Sequence, residues 1–370
     1  MDLLHFTQEL LRCPSLTPDA AGSLDLIETQ LLALGFHCER MPQGKVDNLY
    51  AKRDRGGKTL CFAGHVDVVP PGPSTLWKHP PFDAVLEDGI LYGRGAVDMK
   101  PAIAAFVDAV SGFQERVGSI VFLLTSDEEG PARDGTRYVV EKLLARGEHL
   151  DACIVGEPTS RAVVGDTVKI GRRGSLTAHL RVKGVQGHVA YPAAAKNPIP
   201  ILLDLLQTLR THKLDVTPCQ GFDPSHLEIV TVDVGNLASN VIPADAKASF
   251  NIRFNPLHTA TSLQAWIQGV VDAHSEASVS FVAAAEAFLT SSSSFCDLTV
   301  RCIEATTGQK PVLSTSGGTS DARFLAPHFP VIELGLLHSA AHQVNEHVAF
   351  GEVERLRDMY LGILDAFFPA

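Results

Sequence analysis

Three short apolar runs, at residues 58–69, 119–125 and 152–156, do most to limit what this chain can fold into. They are rich in β-branched residues and lack strict alternation, which is typical of central strands covered on both faces. Helical spacing fills much of the two stretches between them, at 101–113 and 136–146. This order of strand, helix, strand, helix and strand predicts an α/β fold, with a mostly parallel mixed sheet that carries helices on both faces.

Four short segments with acidic residues or histidine beside glycine each come at the end of an apolar stretch, and a fifth lies near the other end of the chain. In open α/β sheets, ligands gather at the carboxyl ends of the strands, which is where these segments fall. Carboxylate and imidazole groups next to glycines that permit tight turns suit a divalent metal ion. The pattern therefore favours a metal-dependent hydrolase. The four segments are 64–67, 95–99, 126–130 and 156–158, and the fifth is 342–346.

Length and charge exclude several classes of protein. A chain of 370 residues exceeds what one hydrophobic core usually fills, so we expect two domains. The formal net charge is -11 and the basic residues are scattered, so nucleic acid is not expected as a partner.

No window approaches the roughly 20 apolar residues of a membrane span, and we expect no membrane partner. Residues 1–12 have charges within their apolar stretch, which favours an amphipathic helix over a signal peptide.

The cysteines indicate a reducing environment. There are seven of them, an odd number, and none forms a Cys-x-x-Cys pair. We therefore expect buried free thiols and a cytoplasmic protein.

The pattern changes after about residue 174. Strand and helix patterns then follow in the order β-α-β-β-α-β, which predicts a ferredoxin-like α+β domain inserted into the larger one. We expect a catalytic domain at 1–174 and 291–370, an inserted domain at 175–290, and a return linker at 291–294. The inserted pattern comprises 175–182, 197–211, 226–234, 246–254, 261–274 and 278–282, and the larger domain then resumes with a strand at 331–335 and a helix at 351–368.

Two of the acidic and histidine segments each have an ordinary explanation. His65 alone would be a solvated histidine at a strand end, but Asp67 lies two residues away and can accept its second ring N–H, as partners of metal-bound histidines do. Asp98 alone would cap the helix that begins near Pro101. The alternative to capping is that Asp98 binds metal. A carboxylate has two oxygens and can bridge two cations, and that role would need two metal ions.

The acidic run at 127–129 ends a buried strand, so something positive must offset its mutual repulsion. A metal is the simplest answer: one glutamate would ligate, and its neighbour would remove a proton from metal-bound water. Glu157 follows a further strand. His342 has His338 and His347 nearby, and spacing does not decide among the three.

A charge count supports a pair of metals. Two divalent ions bring four positive charges, and Asp98, Glu129 and Glu157 offset three of them. The remaining positive charge would lower the pKa of a bridging water towards neutrality. Mixed histidine and carboxylate ligation favours zinc, with cobalt or manganese as substitutes.

Taken together, the segments resemble the dinuclear-zinc amidohydrolases, a family that includes aminoacylases and certain carboxypeptidases, over essentially the whole chain. The resemblance implies a zinc-peptidase-like fold and two Zn²⁺ per subunit. It makes His65, Asp98 and Glu157 ligands of one ion, and Asp98, Glu129 and His342 ligands of the other. It also implies that Asp67 orients His65 and that Glu128 is the general base. His338 departs from the family pattern, where asparagine is common, and could compete as a ligand.

Three further segments, 171–175, 186–192 and 317–324, resemble the desuccinylases of this family. Arg172 and Arg173 could form the planar clamp that a succinyl carboxylate needs, although without this context they would be ordinary surface arginines on a strand. The further donors that the resemblance implies are Ser175, Arg253, Gly318, Thr319 and Asn345.

The same resemblance implies a homodimer in which the inserted domain is both dimerisation domain and lid. His188 would then reach the active site of the partner subunit and stabilise the oxyanion, with Asn240 as a second lid contact. The ordinary alternative is a turn histidine held by Gly187 and Tyr191. Exposed edge strands of the inserted domain would suit sheet-to-sheet pairing.

The implied reaction is hydrolysis of N-succinyl-LL-2,6-diaminopimelate to succinate and LL-2,6-diaminopimelate by a zinc-bound hydroxide, in lysine and diaminopimelate biosynthesis. One alternative is another di-zinc deacylase, such as an acetylornithine deacetylase, with a different side-chain pocket. The double arginine and segment 317–324 favour a succinyl group over an acetyl group. The alternative from another class is a metal-binding scaffold without activity, although every expected position is filled.

Overall fold

A computed structural model describes residues 2–114, 116–282, 284–290 and 294–368. The chain divides into two compact units. The first comprises Met1–Ile170, Thr290–Ser314 and Ser320–Ala370, and the second comprises Gly171–Leu289 and Thr315–Thr319. The domain limits expected from the sequence stay a prediction. Within the described ranges, no helix is both long and apolar enough to cross a bilayer.

Helices and strands alternate along much of the chain. The helices are α1 (Leu3–Arg12), α2 (Ser23–Ala33), α3 (Lys100–Gly112), α4 (Thr136–Ala145), α5 (Pro198–Thr211), α6 (Ala260–Val271), α7 (Ser294–Thr307), α8 (Ala322–Leu325) and α9 (Phe350–Phe367). The strands are β1 (His37–Arg40), β2 (Asn48–Arg53), β3 (Thr59–His65), β4 (Val85–Glu87), β5 (Ile90–Tyr92), β6 (Ser119–Thr125), β7 (Ala152–Val155), β8 (Thr167–Lys169), β9 (Gly171–Arg172), β10 (Gly174–Lys183), β11 (Gly187–His188), β12 (His226–Asp233), β13 (Val241–Ile242), β14 (Asp245–Phe254), β15 (Ala277–Phe281), β16 (Phe288–Leu289), β17 (Val312–Ser314), β18 (Val331–Glu333) and β19 (His347–Ala349).

The first unit is built on a mixed sheet with the strand order β1-β2-β6-β3-β7-β18-β8-β17. At its centre β3 runs parallel to both β6 and β7, and β18 runs parallel to β7. Every residue of β3, β6 and β7 is buried, as expected for strands covered on both faces. The α/β class with a mostly parallel sheet centre is confirmed.

Aromatic packing fixes the helices of the first unit to this sheet. The ring of Phe106 on α3 stacks on Phe62 of β3 with centroids 4.4 Å apart, and Tyr360 of α9 meets Phe62 edge-on at 5.7 Å. Pro101 lies in the first turn of α3, where its missing N–H leaves no hydrogen bond unmade. The fully buried ammonium of Lys100 donates to the carbonyl oxygens of Leu10 and Cys13 and so closes the end of α1.

The second unit has a four-stranded sheet in the order β12-β14-β10-β15, with α5 and α6 between strands in the chain. This is the β-α-β-β-α-β order that the sequence predicted. Buried and more exposed residues alternate along β14, and the buried set joins α5 and α6 in a second core. β12 is an edge strand with a bulge between Ile229 and Thr231, and Val230 and Val232 on it are exposed.

Of the predicted return linker, residues 291–293 lie outside the described residues, and Ser294 already begins α7. The short pairs β9 with β16 and β11 with β13, and the small sheet β19-β5-β4, were not predicted. Strands of two or three residues are too short to carry a period, and side-chain periodicity is what the sequence offers.

Candidate metal centre

The carboxyl ends of three neighbouring parallel strands bring three of the five predicted acidic and histidine segments together. His65 is the last residue of β3 and lies in register with Thr125, the last residue of β6. Gly156 follows β7 directly and donates its N–H to the carbonyl of Ala63 at 3.2 Å. Segments 126–130 and 156–158 therefore begin at the edge of the sheet where His65 lies, as parallel pairing requires.

His65 is buried and held in one tautomer. Its Nδ1 lies 2.9 Å from the main-chain oxygen of Asp67, and because a carbonyl can only accept, Nδ1 carries the proton. Its Nε2 lies 3.1 Å from Asp98 Oδ1 and 3.5 Å from Glu157 Oε1. When the ring is neutral, Nδ1 keeps the proton and Nε2, which faces the two carboxylates, is the nitrogen that can bind a metal.

The Asp67 carboxylate lies near His65 but makes its hydrogen bonds with another loop, and its predicted role in orienting His65 stays a prediction. That carboxylate lies 3.6 Å from His65 Nδ1, and it accepts the main-chain N–H groups of Glu128 at 3.3 Å and Glu129 at 3.0 Å. The hydrogen bond that fixes the imidazole therefore comes from the main-chain carbonyl of Asp67. Its side chain instead fixes the loop that carries the two glutamates.

A second group of ligand atoms shares Asp98 with the first. His342 Nε2 lies 2.7 Å from Glu129 Oε1 and 3.3 Å from Asp98 Oδ2, so Asp98 directs one oxygen at each of the two histidines. Ligand atoms within 4.8 Å of one another form three groups, and neither His338 nor His347 belongs to any of those found among the described residues. The groups are His65, Asp98 and Glu157; Asp98, Glu129 and His342; and His65, Glu128 and Glu129.

Electrostatics in this cluster favour a bound cation. Burial by itself would lower the pKa of His65, but hydrogen bonds to Asp98 and Glu157 raise it well above its ordinary value. Hydrogen bonds to Asp98 and Glu129 raise the pKa of His342 to about 10. Burial, followed by the charge of Glu157, raises the pKa of the Glu128 carboxyl. Four carboxylates face two imidazoles, and this donor set fits a borderline divalent ion.

Two buried residues beside the cluster had no role assigned from the sequence. Glu346 lies in the fifth segment and accepts N–H groups from the turn before Asp98, and Arg94 pairs with it. Both are almost fully buried. Sequence reasoning missed them because a buried ion pair and two surface charges look the same in a sequence. Only tertiary structure shows that the two side chains are buried against each other.

In the second unit, three predicted arginines lie close to segment 315–319 or to one another. Arg172 is buried and donates to the carbonyl of Gly318 at 2.8 Å. Arg173 donates to the carbonyl of Pro224 at 3.3 Å. Burial, followed by the positive charge of Arg173, lowers the pKa of Arg253. Among the described residues, Arg173 Nε and Arg253 Nη1 are buried without a hydrogen-bond partner, so two guanidinium groups retain donors for an anion.

The remaining predicted donors of this unit have varied surroundings. Ser175 lies opposite Arg253 in the β10–β14 ladder, and its hydroxyl accepts from Asn251 Nδ2 at 3.0 Å. Gly318 is exposed and Thr319 is half-buried. In the first unit, Asn345 uses its side-chain oxygen to accept the N–H of Lys78, and its predicted contact with a substrate stays a prediction.

His188 and Asn240 meet through the main chain. His188 pairs with Val241 in the β11–β13 ladder, and the N–H of Val189 donates to the Asn240 carbonyl at 3.1 Å. His188 is exposed, and its Nδ1 accepts the N–H of Ala190 at 3.1 Å. A neutral His188 ring therefore carries its proton on Nε2, which leaves that N–H as a donor. The predicted role of His188 in a partner subunit stays a prediction.

Comparisons with known proteins found relatives over nearly the full length of the chain. Residues 61–366 match the model of peptidase family M20/M25/M40. The succinyl-diaminopimelate desuccinylase of Caulobacter vibrioides (strain NA1000 / CB15N) is 52% identical over 378 residues, which cover 100% of this chain and 97% of that protein. Among solved structures, the M20 family metallo-carboxypeptidase Sso-CP2 from Sulfolobus solfataricus has a TM-score of 0.83 at 18% identity and 98% coverage of both chains. The Bacillus subtilis YXEP protein, a dinuclear metal binding peptidase from the M20 family, has a TM-score of 0.72 at 16% identity, with 99% of this chain and 97% of that chain covered.

Proposed function

Because the chain belongs to peptidase family M20/M25/M40 and is a metal-dependent hydrolase, we propose that it hydrolyses N-succinyl-LL-2,6-diaminopimelate to succinate and LL-2,6-diaminopimelate. This step belongs to lysine and diaminopimelate biosynthesis. The hydrolytic part rests on the two ligand groups that share Asp98. The succinyl part is supported by the full-length relatives and by the unused guanidinium donors of Arg173 and Arg253. We also propose a cytoplasmic location, which the seven free cysteines support.

We propose that the centre holds two zinc ions, which cobalt can replace. His65, Asp98 and Glu157 would hold one ion, and Asp98, Glu129 and His342 the other. When bound, the ions would supply Lewis-acid chemistry to the amide carbonyl and would lower the pKa of the attacking water. Glu128 is the proton carrier: its carboxylate takes a proton from the attacking water and returns it to the leaving amine nitrogen. The Asp67 carboxylate holds the main chain of Glu128 in place for both transfers.

The first test is succinate release by the purified protein. We expect turnover of N-succinyl-LL-diaminopimelate, its loss on chelation, and its return when zinc is added back. The reason is that the attacking water would lose its proton readily only when metal ions are bound. N-acetylornithine, measured in parallel, is expected to give little turnover. If only the acetyl compound reacted, the mechanism would stand and the succinyl assignment would be wrong.

A matched pair of arginine variants tests recognition of the succinyl carboxylate. We expect Arg253→Met to lower kcat/KM for the succinyl substrate by about 10- to 100-fold, since a hydrogen bond to a charged group contributes about 1.5–3 kcal/mol. Arg181→Met is the control, because Arg181 lies on β10 of the same sheet and pairs only at the surface with Asp245. Equal losses in the two variants would contradict a specific role for Arg253.

We propose a homodimer formed through the inserted domain, with His188 acting in the partner subunit. The exposed edge strand β12, with Val230 and Val232 uncovered, supports such pairing. Mixing His188→Ala with Glu128→Gln tests the arrangement. Random exchange makes half of the dimers mixed, and one of their two sites is then intact, so about a quarter of wild-type activity should return. Exchange proven by a mass tag without any recovery would exclude action across the dimer.

A further inference from the structure

A fully buried ion pair connects two loops of the candidate metal centre. Arg94 is 2% exposed and Glu346 is 0% exposed, and Arg94 Nη1 lies 2.6 Å from Glu346 Oε2. Burying two charges is costly, and apolar residues of similar volume are often equally stable or more so. Fold stability alone therefore gives a weak account of this pair, and the contacts around it indicate another role.

Glu346 holds the turn that carries Asp98. Its Oε1 accepts the N–H groups of Val97 at 2.8 Å and Asp98 at 3.2 Å, and its Oε2 accepts that of Gly95 at 3.1 Å. Its main-chain carbonyl also accepts the N–H of Gly93 at 3.0 Å. One residue from the C-terminal loop thus fixes the main chain of the turn up to and including Asp98.

Arg94 holds the loop that carries His342. Its Nη2 donates to the carbonyl of His342 at 3.4 Å, and its Nη1 donates to that of Gln343 at 3.2 Å. His342 has φ +62°, a left-handed conformation that is uncommon outside glycine and needs support from its surroundings. The guanidinium also lies 5.3 Å from the ring of Trp77, which limits its movement.

We propose that Arg94 and Glu346 form a strut that sets the distance between Asp98 and His342 for metal binding. The inference rests on the ligand assignments proposed above. Both residues are positioning residues, because they act through main-chain contacts with the ligands. The ion held by Asp98, Glu129 and His342 depends on both ends of the strut, whereas the ion held by His65, Asp98 and Glu157 depends on one end. The first of these ions is therefore the more sensitive.

The test is titration of metal-free, full-length protein with Co²⁺, followed by its visible spectrum and by calorimetry. We expect Glu346→Gln to weaken one of the two ions by about 10- to 100-fold, the usual effect of losing a group that orients ligands, and to change the other less. Asp108→Asn is the matched control. It weakens the pair of buried Asp108 with the partly exposed Arg357, 2.7 Å apart between α3 and α9, and should lower thermal stability while leaving both Co²⁺ affinities unchanged.

A second variant covers the case in which Glu346→Gln does not fold. Arg94→Lys keeps a positive charge opposite Glu346 but loses the fork that reaches the carbonyls of His342 and Gln343, so it should weaken the same ion. Wild-type affinity for both ions in either folded variant would overturn the strut. If the wild-type protein itself bound fewer than two ions, the ligand assignment would be wrong, and the strut with it. The wild-type titration therefore distinguishes failure of the ligand assignment from failure of the strut alone.

Discussion

Glu128→Gln is expected to lower kcat by about 10²- to 10⁴-fold while both ions stay bound. Glutamine keeps the size and the hydrogen-bonding shape of the side chain but cannot take up a proton. The Glu128 carboxylate lies within 4.8 Å of the ligand atoms of His65 and Glu129, close enough to reach a water held between them. Burial and the charge of Glu157 raise its pKa, so it binds a proton more strongly than an exposed glutamate does.

Two measurements on the same sample separate loss of chemistry from loss of metal. Steady-state release of succinate gives kcat, and elemental analysis of the dialysed protein gives ions per chain. Glu141→Gln is the control, since Glu141 is an exposed glutamate on α4 that pairs with Arg137; it should change neither quantity. Turnover within a few-fold of wild type in Glu128→Gln would remove Glu128 from the proton-transfer role.

The part of the fold that carries the site could be predicted because its determinants are local in sequence. β6 was predicted at its observed bounds, and β3 and β7 lie within the predicted runs, because both faces of these strands are apolar. Parallel pairing then forces His65, segment 126–130 and Glu157 to one edge of the sheet. No contact between distant residues had to be known for that step.

The remainder depends on contacts between distant parts of the chain. Sequence spacing could not decide which of His338, His342 and His347 is the ligand. The conformation that directs His342 is left-handed, and it is supported by contacts of its carbonyl with Arg94, about 250 residues earlier in the chain. Likewise, Asp67 lies two positions after His65, which suggests that its carboxylate accepts a hydrogen bond from the His65 ring. In the structure, that carboxylate accepts main-chain N–H groups of segment 126–130. Local spacing cannot rank such competing partners.

Asp98 is the residue whose loss should affect both ions at once. Its Oδ1 lies 3.1 Å from His65 Nε2, and its Oδ2 lies 3.3 Å from His342 Nε2, so each oxygen belongs to a different ligand group. Binding free energies of about 10–16 kcal/mol for a four-ligand zinc site correspond to about 3 kcal/mol per ligand, or about 10²-fold in affinity. Asp98→Asn should therefore weaken both ions by about 10²-fold each.

Glu157→Gln provides the contrast, because Glu157 belongs to only one of the two proposed sites. We expect it to weaken a single ion by about 10²-fold and to leave the other near its wild-type affinity, since the Asp98, Glu129 and His342 group is intact. Calorimetric titration of the metal-free variants with zinc would show two shifted binding steps for Asp98→Asn and one for Glu157→Gln. A single shifted step for Asp98→Asn would mean that its two oxygens serve one ion, and the shared-ligand centre would have to be abandoned.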